Sequence, residues 1–251
     1  NSDKSLFLSA EATENDNYET YGYKTNKTGI SIGTDFEYLN DFYLGINNSN
    51  FYEVIETNST ASAQQQAQEG NYWDSFLKFN FNYDKRNQKF QTSDGFKSFY
   101  SLDLPIISDT NTIKNYYNYS HYFDFFEKNF SSISIYLQSA NSLNNKDIKL
   151  SERINIPSSR LRGFEAGRVG PKDGDDFVGG NYAYSINFAS NIPQLFEESQ
   201  SIDFLIFADA ADIWGVDYNS SIDGEGIRSS IGVALDWMTP IGPMSFSFAH
   251  P

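Results

Sequence analysis

Hydrophobic and polar residues alternate along most of this chain with a period of two. Ile30, Ile32, Phe36 and Tyr38 share one face, and Ser31, Gly33, Asp35 and Glu37 share the other. The run through Leu77, Phe79, Phe81 and Tyr83 against Lys78, Asn80, Asn82 and Asp84 repeats the pattern. So do runs around Leu102, Tyr117, Ile135, Ile186, Phe204, Val233 and Phe246. Alternation of this kind predicts half-buried strands. About eleven strands and no helix are expected. Leu6 and Leu8 open a weak first strand, and Glu11 to Lys27 reads as a polar loop.

The connections separate two all-β architectures. A soluble sandwich also alternates, because one face of an antiparallel sheet meets water. Here short turns at 40–41, 127–129 and 239–242 alternate with long polar stretches at 11–27, 57–71, 141–178 and 215–225. Short turns at one end and long loops at the other predict an antiparallel transmembrane β-barrel. Strands of about 9–11 residues would cross a bilayer when tilted. Trp73, Tyr83, Tyr100, Trp214 and Trp237 suit the aromatic belts at its two surfaces. In lipid each backbone N–H and C=O must find a partner, so a spanning sheet has to close. Bacterial barrels usually have an even strand number. An odd count, with both ends looking cut, is expected to be part of a longer chain. There is no basic and apolar leader at Asn1, so no signal peptide is expected.

Composition narrows the chemistry. Aromatic residues make up 17% of the chain, yet no apolar run is long enough for a transmembrane helix. There is no Cys and there are two His, so neither a disulfide framework nor a thiolate or histidine metal site is expected. His121 reads as a wall residue of the sheet. A net charge of −15 argues against a nucleic-acid partner, which would call for basic stripes.

The exception to the alternation is Arg160 to Asn181, too rich in glycine and charge for a strand and too long for a turn. Folded against a polar lumen, its Arg162 would need a carboxylate, since an unpaired buried charge is costly. Asp209 is the preferred partner, because it is out of phase with Ile206 and Ala208 and so faces inward. Asp203, Asp209 and Asp212 make a weak case for acid–base catalysis, since inward polar residues are usual in a barrel. No Ser/His/Asp arrangement is apparent, and the chain is not expected to be an enzyme. Gly179-Gly180 is followed by no Lys-Ser/Thr and no helix, so it reads as a strand start. Asp84 and Asp94-Gly95 read as turn chemistry.

Leu161-Arg162-Gly163-Phe164, Gly170-Pro171-Lys172 and Val178-Gly179-Gly180-Asn181 resemble loop 6 of the BamA family of outer-membrane β-barrel assembly factors. The resemblance continues through Phe207–Ala210 and is strongest from Ile227 to Pro251. It implies that residues 1–251 are an outer-membrane barrel domain, incomplete at both ends, from a barrel of about 16 strands. A long loop, 141–179, would fold inward. It implies a functional loop built on Arg162, Gly163, Phe164, Gly170, Pro171, Gly179 and Gly180, with Asp209 as ion-pair partner. Unfolded β-barrel proteins, outer-membrane lipid and accessory lipoproteins would be the partners, with no cofactor. The family's lumen-facing glutamate on the strand after Gly-Gly-Asn would fall at Ala189, leaving Arg162 to Asp209 alone or to another acid. A TamA-like assembly protein, a passive porin and a soluble sandwich are the alternatives.

Overall fold

The computed structural model describes residues 4–193, 202–222 and 226–251. Eleven antiparallel strands form one sheet: β1 (Lys4–Asn17), β2 (Tyr23–Leu39), β3 (Phe42–Thr57), β4 (Gly70–Asp84), β5 (Gly95–Ser108), β6 (Thr112–Phe123), β7 (Ser131–Ser142), β10 (Tyr182–Asn191), β11 (Ile202–Trp214), β12 (Arg228–Thr239) and β13 (Gly242–His250). Between β7 and β10 lies a two-stranded hairpin, β8 (Lys172–Asp173) with β9 (Asp176–Phe177). Each strand of the large sheet pairs with its neighbours in chain order, and β1 and β13 are its edges. The all-β architecture and strand count agree with the alternation. Two one-turn helices, α1 (Tyr18–Tyr21) and α2 (Ala63–Gln66), sit in connections where no helix was expected.

The expected loop at 11–27 is corrected. The β1–β2 ladder runs on to Asn17 against Tyr23, leaving a connection of only 18–22. Lys24 meets Glu14 and Lys27 meets Glu11 across it. Polar strands pair through their backbones as well as apolar ones, so loss of hydrophobic alternation does not end a ladder. For the same reason β2 and β3, at 17 and 16 residues, outrun the length a bilayer crossing requires. The contrast between the two ends is also weaker than expected. The turn 85–94 is long for the short-turn end, and 109–111 is short for the loop end. The stretch 215–225 is described only to Ile222.

The two faces differ as the alternation predicts. Leu8, Ile30, Ile133, Ile186, Ile206, Ile231 and Phe248 point outward and are exposed. His121 is on the same face, paired with Ile133. The inward face carries Glu53, Asp74, Ser101, Ser185, Asn187 and Asp209, all buried.

The sheet is curled around the segment 143–181. A Cβ on Gly163 would sit 2.7 Å from the Ala249 side chain in β13, and one on Gly167 would collide with the Tyr21 hydroxyl just before β2. A flat sheet would hold those two strands about 43 Å apart, at about 4.8 Å per strand step. Four residues of chain span about 14 Å at most. One loop can reach both only if the sheet wraps it. The main apolar cluster lies beneath this loop, where Ile148, Ile154, Ile156 and Leu161 pack on Tyr136, Ala183, Ala211 and Ile213 of β7, β10 and β11.

Candidate functional site

Asp209 lies on the inner face of β11, 2% exposed. Alternation brings Phe207 to the same face one step earlier. Arg162 arrives from the loop and engages both. Its Nε donates to Asp209 Oδ2 at 2.7 Å and its Nη2 to Oδ1 at 2.7 Å. The Arg162 backbone N–H adds a bond to Oδ2 at 3.1 Å. The guanidinium also lies over the Phe207 ring, 3.5 Å from its centroid. A planar fork matched to a carboxylate, with its face on an aromatic ring, uses what distinguishes arginine from lysine.

A fourth donor comes from the neighbouring strand. Asn187 faces Asp209 across the β10–β11 ladder. Its Nδ2 donates to Asp209 Oδ1 at 2.8 Å and to the Arg160 carbonyl at 2.7 Å. Ala189, where the resemblance puts the family's glutamate, pairs with Phe207. The β10 side chain at the ion pair is the neutral amide of Asn187. Among the described residues Arg162 therefore has one carboxylate partner, and that carboxylate accepts four hydrogen bonds. Such an arrangement holds two elements together.

The other loop residues read from the sequence take separate places. Gly163, at φ +88°, lies against Ala249. Phe164 packs on the cluster beneath the loop. Gly170 lies against Ile213, and Pro171 is fully buried, its carbonyl accepting from Val178 N at 3.0 Å. Gly179 is at φ +64°, and Gly180 bridges to Ile154 through two backbone bonds. Of the functional-loop residues and the partner named from the sequence, Arg162 and Asp209 meet side chain to side chain. Asp203 and Asp212 do not form a carboxylate pair with Asp209. Asp203 accepts from Gln91 Nε2 at 2.9 Å, and Asp212 lies across from Tyr184.

A second group of contacts was not read from the sequence. Lys149 Nζ is 2.5 Å from Asp74 Oδ2 and 2.7 Å from Glu53 Oε2. Arg153 pairs with Asp217, and Ile148 N donates to the same carboxylate at 2.6 Å. Glu53 and Asp74 share the inward phase of β3 and β4, which alternation could have disclosed. Which loop cation each would meet could not be read that way.

Comparison with known proteins decides the family. The model of the Omp85 superfamily domain matches residues 1–251. The chain belongs to the Omp85 superfamily. This Omp85 chain is 32% identical to the outer membrane protein assembly factor BamA of Neisseria meningitidis serogroup B over 120 residues, covering 36% of this chain and 15% of that protein. It is 30% identical to a SAM50-like protein of Schizosaccharomyces pombe over 131 residues, covering 48% and 27%. Its fold matches the crystal structure of Haemophilus ducreyi BamA lacking POTRA domains 1–3, with a TM-score of 0.87 and 22% identity over 99% of this chain and 55% of that one. The BamA-family resemblance drawn from the residues is borne out. This Omp85 chain spans well under a third of the length of the curated relatives it matches.

Proposed function

We propose that this chain is the membrane-embedded part of a factor that folds and inserts β-barrel proteins into the outer membrane of a Gram-negative bacterium. Residues 143–181 form a latched internal loop. Kinship with BamA and a SAM50-like protein supports the assembly role. The apolar outer face supports the membrane setting. The observation that carries the loop's role is the Arg162–Asp209 pair, with Asp209 buried and Arg162 partly buried on the inner face of a sheet that wraps the loop. Clients are unfolded barrel proteins, and lipid and accessory lipoproteins are the surroundings in which it works. Arg162 and Asp209 act as a structural latch, and no cofactor enters the reading.

The test uses the full-length protein in a strain depleted of its own assembly factor. Arg162→Ala strands the buried Asp209 carboxylate, a loss of about 3 kcal/mol, and Asp209→Ala leaves the partly exposed guanidinium unpaired, which costs less. Both are expected to lower the yield of folded outer-membrane barrels. The exchange Arg162→Asp with Asp209→Arg is expected to recover part of it. Unchanged growth and barrel yield in both single variants would sink the proposal.

A further inference from the structure

The loop carries a buried cation that the Arg162 contact does not use. Lys149 is 1% exposed. Its ammonium sits between the Glu53 and Asp74 carboxylates, 5.0 Å from the centroid of the Tyr72 ring. Both carboxylates are tied down in turn. Ser151 Oγ donates to Glu53 Oε2 at 2.8 Å, and Ser108 Oγ donates to Asp74. Glu152, next along the loop, accepts from Thr110 at 3.2 Å and Lys114 at 3.5 Å. Neighbouring backbone groups are bound too. Leu150 N donates to Gln68 Oε1 at 2.9 Å, and Tyr23 Oη donates to the Leu150 carbonyl at 3.2 Å. Leu150 itself packs on Tyr23 and Ile55.

We infer that Lys149 is a second latch, a positioning residue that holds the first limb of the loop to β3 and β4 independently of Arg162. The two attachments are far apart in the sheet. Four strands, β5, β6, β7 and β10, separate β4 from β11. The two attachments share no ion-pair partner, although Ile148 and Leu161 beside them pack in one apolar cluster; ion pairs more than about 10 Å apart with no common partner act nearly additively. The loop is thus a brace tied to the sheet at two separate places, β4 and β11. Release of one end leaves the other in place, so the interior can open in two stages.

Lysine suits this end. A buried ammonium is tolerated only when paired, and two carboxylates with their own donors provide the pairing. Burial alone pulls the Lys149 pKa down, but the nearby Glu152, Glu53 and Asp74 carboxylates more than offset this and hold it above the ordinary lysine value.

Residues 1–251 hold no cysteine, so in a full-length protein whose remaining cysteines, if any, are replaced, a single introduced thiol reports on one place. In the full-length protein in outer-membrane vesicles, Leu150→Cys and Leu161→Cys are labelled separately with a membrane-impermeant maleimide. Both positions are buried. With Lys149→Met, labelling at 150 is expected to rise about tenfold or more while 161 stays protected. With Arg162→Ala the pattern is expected to reverse. The variant combining Lys149→Met with Glu53→Gln and Asp74→Asn removes the stranded charges. It keeps the test available where Lys149→Met alone fails to fold, and position 150 should again be exposed in it. Protection at 150 in a folded Lys149 variant, or joint exposure of both positions by either substitution, overturns the inference. The inference rests on the reading of 143–181 as a latched loop. Labelling reports loop position alone, so it can fail while the assembly assay succeeds, and the reverse.

Discussion

Asn187 completes the acceptor set of Asp209 without adding a charge. Its removal leaves the guanidinium fork in place and frees one acceptor position. Asn187→Ala should cost about 1–2 kcal/mol, less than Arg162→Ala. Chemical denaturation of the isolated barrel against the Arg162→Ala variant would measure the difference. Lys149 makes a different prediction. Its pKa is higher in the folded state, with burial outweighed by three carboxylates. The stability it contributes is fully present below the unfolded lysine value of about 10.4 and is lost as pH rises through the folded value. Protection of the first limb should stay level from neutrality to about pH 10 and fall above it, as followed by hydrogen exchange at Ile148–Arg153. Asp209 was legible because its phase on one strand is a property of that strand's sequence. Asn187 was not, because its place beside Asp209 depends on the register between two strands, and a one-residue shift there moves every side chain to the other face.

Among the elements, strands were legible by face and less so by length. The outward rows of β4, β10 and β12 stand as alternation placed them. The hairpin of β1 and β2 extends beyond its apolar part because its polar end is held by backbone pairing and by Lys24 and Lys27 across the ladder. The loop was legible as an inward element through its glycines, but its first limb was not, since Lys149 and Arg153 look like ordinary solvated charges. The loop's return to the sheet depends on Gly179. A Cβ there would sit 2.5 Å from the Ile154 carbonyl oxygen, at φ +64°. Gly179→Val should break the Ile154–Gly180 bridge at a cost of about 2 kcal/mol or more. Limited proteolysis should then cut between 154 and 180 sooner, with the strands unaffected.

At the scale of the molecule, the curl of the sheet follows from what the loop touches at each side. Alternation could place residues on the concave face but could not say that β2 and β13 approach a common segment. That follows from long-range contacts, which leave no periodic trace in either strand. Charge in the loop is local rather than net. Lys146, Lys149, Arg153, Arg160, Arg162, Arg168 and Lys172 lie in it, but Asp147, Glu152, Glu165, Asp173, Asp175 and Asp176 bring its net charge to +1. Two of its cations, Lys149 and Arg162, meet Glu53, Asp74 and Asp209 of the wall. The loop therefore supplies the counterions of those three carboxylates. Replacing 143–181 with a short neutral linker would leave an interior lined by uncompensated carboxylates, the arrangement that favours cations in open pores. In planar bilayers under a salt gradient, the reversal potential of such a protein should move toward the cation's equilibrium value. A loop-deleted protein without that preference would mean the acidic wall does not face the permeation path.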